Sequence, residues 1–140
     1  MTIAVDFDGT IVTHEYPNIG KEIPFAIQTL KMLQKDGHKL ILWSVREGKL
    51  LNEAVQWCCK RGLEFYAINR DYPEEEKSNN NNYSRKLKVD IWIDDRNIGG
   101  LPDWGIIYRI IKENKTYEEI LNDDIAPINS TEKKRKWWPF

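Results

Sequence analysis

The sequence predicts an α/β protein, a three-layer Rossmann-like sandwich around a mainly parallel sheet. Three observations predict it. Short apolar runs end in acids or a hydroxyl, stretches with helical apolar spacing lie between them, and glycines stand where those helices should stop. Alternation of strand and helix calls for parallel strands joined by crossovers. In sheets of that kind the working site lies beyond the carboxyl ends of the strands.

Thr2 to Val5 (Thr-Ile-Ala-Val) is the first such run, and it stops at Asp6. An unbroken apolar run of this length suits a parallel strand buried on both faces. The stretch from Gly9 to Pro24 is mixed, and Pro17, Gly20 and Pro24 break any regular element. From Phe25 to Lys35 the apolar positions Ile27, Leu30 and Leu33 recur at helical spacing, and Gly37 is placed to end that helix. Lys39 to Ser44 reads as a second buried strand ending in a hydroxyl. Glu47 to Arg61 follows as a helix with Leu50, Leu51, Ala54, Val55 and Cys58 on its apolar side, and Gly62 as its stop.

Glu64 to Ile68 is the third strand. Asp71 to Ser84 is polar, with the acids Glu74 to Glu76 and the asparagine run Asn79 to Asn82, and is expected to be a surface loop. Val89 to Ile93 is the fourth strand and delivers Asp94 and Asp95 at its end. Trp104 to Glu113 is expected to be helical, although its run of Ile106, Ile107, Ile110 and Ile111 also fits a strand. Thr116 with Glu119 three residues on is a capping box, which places a short helix over Tyr117 to Leu121. One domain over residues 1–125 is expected, followed by a basic, aromatic tail over residues 126–140.

A chain of 140 residues with 41% hydrophobic and 31% charged residues fits one ordinary domain. The formal net charge of −1 excludes a nucleic-acid binder that works through overall charge, though not one with a local basic patch. Cys58 and Cys59 are neighbours in a helical stretch and point about 100° apart, so they make neither a disulfide nor a metal site. Without a disulfide framework or a leader-type run, the cytoplasm is the expected location. No apolar run approaches a membrane span.

The chemistry concentrates at the expected strand ends. Asp6 and Asp8 in Asp6-Phe7-Asp8-Gly9-Thr10 are two carboxyls two positions apart. One is suited to attack phosphorus and the other to move protons. Gly9 and Thr10 suggest a turn whose backbone N–H groups face phosphate oxygens. Asp94 and Asp95 add acids at another strand end, and carboxylates crowded together call for a hard divalent cation such as magnesium. Asp6, Asp8, Asp94 and Asp95 are therefore the candidate metal ligands. Ser44 offers a hydroxyl to a phosphoryl oxygen, and Lys86 offers a charge beside it, with Lys88 a competitor. Arg46 and Arg96 neighbour these positions and are candidates to touch substrate. His14 and His38 have no partner at metal-ligand spacing and read as surface histidines.

This set resembles the haloacid dehalogenase-like hydrolase superfamily, whose four motifs occur in order. Asp6-Phe7-Asp8-Gly9-Thr10 is similar to the first motif, which implies Asp6 as nucleophile and Asp8 as acid/base. The strand ending at Ser44 resembles the second. Lys86 matches the lysine of the third, and Ile93-Asp94-Asp95 resembles the fourth, with both acids around magnesium. The resemblance spans roughly residues 1 to 112. It implies a magnesium-dependent phosphatase acting on a phosphate monoester, with a small molecule or a polynucleotide end as substrate. Ile11 to Pro24 and Asn69 to Arg85, where caps insert, are too short for a folded cap, so a capless member with an open site is expected.

Two other readings compete. A phosphorylation-controlled receiver domain shares the sheet, acids, hydroxyl, lysine and magnesium, but it requires its phosphoacceptor after the third strand, where Ile68-Asn69 stands. A catalytically idle scaffold would bind a phosphate-bearing ligand, or nucleic acid through the tail Lys133 to Phe140.

Overall fold

In a computed structural model of the chain, residues 1–75 and 86–123 are described. The expected tail over 126–140 and the asparagine run 79–82 lie outside the described residues. The chain divides into two compact units, Met1–Leu101 and Pro102–Phe140.

The first unit holds a four-stranded, all-parallel sheet. Its elements are β1 (Thr2–Val5), α1 (Ala26–Lys35), β2 (Lys39–Leu42), α2 (Gly48–Lys60), β3 (Ala67–Ile68) and β4 (Ile91–Ile93). The strand order is β3-β2-β1-β4, and β1 pairs in parallel with both β2 and β4. Ile3, Ala4, Val5, Leu40, Ile41 and Leu42 are all buried. Burial of consecutive residues explains why these strands read as unbroken apolar runs, since successive side chains point to opposite faces. α1 packs against β2. Ala4, Ile41, Ala67 and Leu87 form a buried cluster, with Trp43, Val89 and Trp92 against it.

β1 spans the residues expected, whereas β2, β3 and β4 are shorter than the sequence predicts, and for β2 the reason is identifiable. The last ladder bond of β2 runs from the Trp43 N–H to the Val5 carbonyl. The next donor, the Ser44 N–H, turns instead to the side-chain oxygen of Asn69 at 2.8 Å. Ser44 therefore lies past the strand end, in the turn before α2. β3 is an edge strand in which only Ala67 and Ile68 pair, with Ile41 and Leu42.

Both expected helix stops hold. Gly37 follows α1 with φ +96°, a conformation that needs no Cβ, and its N–H closes on the Gln34 carbonyl. Cys58 is buried, which pushes its thiol up to about 12, whereas Cys59 is exposed. The two neighbours face different environments, as adjacent helical positions must.

The second unit begins with α3 (Trp104–Glu113). Asp103 caps it by accepting the Ile106 N–H at 2.9 Å. Residues 117–123 are helical, and Thr116 accepts the Glu119 N–H at 3.2 Å, one half of the expected capping box. No helix among the described residues is long and apolar enough to cross a membrane.

Candidate active site

Strand register brings the acids together. Val5 of β1 is level with Ile93 of β4 and with Leu42 of β2. Neighbouring strands lie about 4.8 Å apart, so Asp6 leaves the sheet beside Asp94. The strand order also reverses at this point: β2 and β3 lie on one side of β1 and β4 on the other. This is the switch point at which α/β sheets open a crevice.

Asp6, Asp94 and Asp95 each offer a carboxylate oxygen, and the three oxygens lie within 4.8 Å of one another. The Thr10 hydroxyl sits between two of these acids, 3.2 Å from Asp6 Oδ2 and 3.2 Å from Asp95 Oδ1. It also accepts the Asp95 N–H at 3.0 Å. Among the described residues, no Lys or Arg side chain forms an ion pair with any of the three acids. The consequence appears at Asp6, whose carboxyl is pushed up from 3.8 to about 7. Burial is the main cause. A hydrogen bond with Asp95 and the charges of Asp94 and Asp95 add to it, against a lowering by the Phe7 backbone. Three hard oxygen donors crowded within 4.8 Å fit a divalent cation such as magnesium.

Asp8 does not join this group. Its two carboxylate oxygens are taken by Arg46, through Nε at 2.7 Å and Nη2 at 2.7 Å. Arg46 is fully buried. Its remaining donors reach the carbonyls of Pro17 at 3.2 Å, Leu50 at 3.4 Å and Asn18 at 3.0 Å. The bond to Asp8 raises the Arg46 pKa further above its ordinary value, so the guanidinium stays charged. Two expectations are thereby corrected. Arg46 has no donor left for substrate, and the Asp8 side chain is not a metal ligand beside Asp6, Asp94 and Asp95.

A third correction concerns Gly9 and Thr10. Their N–H groups do not face a ligand, because Gly9 donates to Val12 at 2.7 Å and Thr10 to Phe7 at 3.2 Å. The glycine is required for another reason. It has φ +85°, and a Cβ there would lie 2.3 Å from Asp95 Oδ2. Gly9→Ala is expected to cost more than about 1 kcal/mol and to displace the Asp95 carboxylate. Thermal melts and a calorimetric magnesium titration of the variant would check both effects.

A cleft of about 410 Å³ opens beside these groups, lined by Asp6, Asp8, Ser44 and Asp94, with His14, Tyr16, Trp43, Val45 and Arg96. Ser44 Oγ accepts the Arg46 N–H at 3.1 Å, which leaves its own hydrogen to donate. Of the two arginines proposed from sequence, Arg96 lines the cleft and Arg46 is structural. Lys86 is exposed and is neither paired with Asp6 nor part of the lining. Lys88 is also exposed, and its backbone N–H is held by Asp71 Oδ1 at 2.6 Å. The expected motif lysine is thus not brought to the site by either residue.

Sequence reading missed Tyr16, Trp43 and Asn69. Tyr16 sits in a segment with no periodicity, and nothing local marks it. Asn69 carried a usable signal, since it ends a strand at the same edge as the other site residues. The segment 11–24 is tied at its base by pairing of Val12 with Glu22, and by bonds from Thr13 to Lys21 and from Ile23 to Ile11. It forms a hairpin-like flap, whose far residues His14 and Tyr16 reach the cleft.

Fold and site together define an α/β protein of Rossmann-like type with an acidic centre at the carboxyl edge of its sheet. No family model and no curated protein matches the chain. A solved structure of a conserved protein from Bacteroides thetaiotaomicron is 68% identical, covering 86% of this chain and 96% of that one, with a TM-score of 0.81. The chain belongs to the family of that conserved Bacteroides protein.

Proposed function

We propose that the protein is a magnesium-dependent phosphomonoesterase of the haloacid dehalogenase-like type, a capless three-layer member in which Asp6 is the nucleophile. The observation that carries this reading is the meeting of Asp6 with Asp94 and Asp95 across adjacent strand ends, beside a cleft that Asp6, Asp94 and Ser44 line. Asp6, Asp94 and Asp95 would hold the magnesium ion, which when bound offsets the charge of the carboxylates and of an anionic phosphate.

The chain's own groups supply the rest. An Asp6 oxygen forms a bond to phosphorus as the ester P–O bond breaks, and the leaving oxygen takes up a proton. Water then adds at phosphorus and gives up a proton, the bond to Asp6 breaks, and inorganic phosphate leaves. Ser44 is placed to donate to a phosphoryl oxygen. Asp8 lines the cleft and is the carboxyl proposed for both proton transfers. A carboxylate has about four lone-pair positions, and the Arg46 fork occupies only two of them.

Phosphate release from a generic aryl phosphate tests the reading, with magnesium, with chelator, and with Asp6→Asn. Turnover that needs both the metal and Asp6 is expected. A fully active Asp6→Asn protein would end the proposal.

A further inference from the structure

We propose that the phosphate ester carries a flat aromatic ring on its leaving group, of the nucleoside monophosphate class, and that Tyr16 is the platform on which this ring stacks. The inference rests on the phosphomonoesterase reading and names its substrate class.

Tyr16 lines the cleft that holds Asp6 and Ser44, and it remains 46% exposed. Its ring is nevertheless fixed from behind. The Arg46 guanidinium carbon lies 5.2 Å from the Tyr16 centroid and 5.3 Å from that of buried Phe7, so the cation is held between two rings. Arg46 also binds the carbonyls of Pro17 and Asn18, the two residues that follow Tyr16. Phe7 is anchored in turn by an edge contact with Trp57 of α2, with centroids 5.8 Å apart. An aromatic side chain that is immobilised yet uncovered has already lost the freedom that ring stacking would remove.

The rest of the lining agrees. Trp43 is held edge-on against Trp92 at 5.9 Å and offers a second aromatic surface in the same cleft. A cleft selecting a bare sugar phosphate would present a row of hydroxyl and amide side chains around the sugar. Here the lining away from the acids and Ser44 is Tyr16, Trp43 and Val45, with Arg96 and His14 as the polar groups. The volume of about 410 Å³ falls in the range of small-molecule sites.

The test compares adenosine monophosphate with glycerol phosphate in the full chain with magnesium, as wild type, Tyr16→Ala and Tyr16→Phe. The wild type is expected to prefer the nucleotide by about tenfold in kcat/KM. Tyr16→Ala should collapse that ratio towards one, and Tyr16→Phe, which keeps the ring, should retain it. A wild type indifferent between the two esters would overturn the proposal, as would a Tyr16→Ala variant that loses activity on both in proportion. Calorimetric titration of the same three proteins with each ester separates this proposal from the one beneath it. Should neither ester nor the aryl phosphate be hydrolysed, the phosphatase reading fails by itself. Stacking would still stand on about tenfold tighter nucleotide binding that Tyr16→Ala removes, and would fall if the two esters bind alike.

Discussion

Arg46→Met is expected to destabilise the protein by about 3–5 kcal/mol, which lowers its melting temperature by roughly 10 °C or more. The size follows from what the guanidinium leaves behind. Asp8 is 8% exposed, and both of its oxygens face Arg46 at 2.7 Å. Removing the cation leaves a nearly buried carboxylate without its counter-ion, and breaking a buried pair from one side is far costlier than never having made it. The carbonyls of Pro17, Asn18 and Leu50 lose their donor at the same time, so the flap comes loose from the start of α2. Replacing both partners, as Arg46→Met with Asp8→Leu, should recover most of the loss, because no orphaned charge remains. Chemical denaturation of the two variants checks this pair of results. A single variant within about 1 kcal/mol of wild type would show that the pair is not what ties the flap to the sheet.

Asp6→Asn should have opposite effects on activity and on stability. Turnover is expected to fall by at least about 10⁴-fold, as when other enzymes lose their nucleophile. Without metal, the folded protein should become more stable. The Asp6 carboxyl is raised from 3.8 to about 7, so between those values the folded chain binds a proton that the unfolded chain has released. The wild-type protein in chelator therefore loses stability as pH rises from about 4 to about 7, and changes no further above that. An amide cannot ionise, so Asp6→Asn removes this slope. After allowance for solvent screening, its advantage at pH 8 is on the order of 2–3 kcal/mol. Magnesium should narrow the gap, since it favours the ionised wild-type cluster over the variant. Melting temperatures across pH 4 to 8, with chelator and with magnesium, would display all three effects. A wild-type stability flat across that range would contradict the picture of an uncompensated acidic cluster.

What the sequence disclosed depended on how local the signal was. β1 and β2 were legible because a buried parallel strand reads as an unbroken apolar run, and α1 and α2 because their apolar spacing and glycine stops lie within one segment. The same rule placed Asp6, Asp94 and Asp95 at a common edge before any register was known. Arg46 shows the limit. It stands two residues past Ser44 and reads as a neighbour of the site, yet its role depends on Asp8, thirty-eight positions earlier in the chain. No spacing rule reports such a pair. Gly9 and Thr10 matter for a different reason than expected. Their N–H groups close the turn, the missing Cβ of Gly9 makes room for Asp95, and the Thr10 hydroxyl joins Asp95 to Asp6. Tyr16 had no local signal, because its position is set by the Arg46 side chain behind it.

The most direct measurement of the central claim is acid-quenched trapping of the reacting protein. Asp8→Asn should phosphorylate slowly and release phosphate inefficiently, so the intermediate should accumulate. Peptide mapping after incubation with an aryl phosphate and magnesium is predicted to find one phosphoryl group, on the peptide that carries Asp6, and none when Asp6→Asn is added. Phosphoryl transfer to another residue, or undiminished turnover with Asp6 replaced, would contradict the assignment of Asp6 as nucleophile.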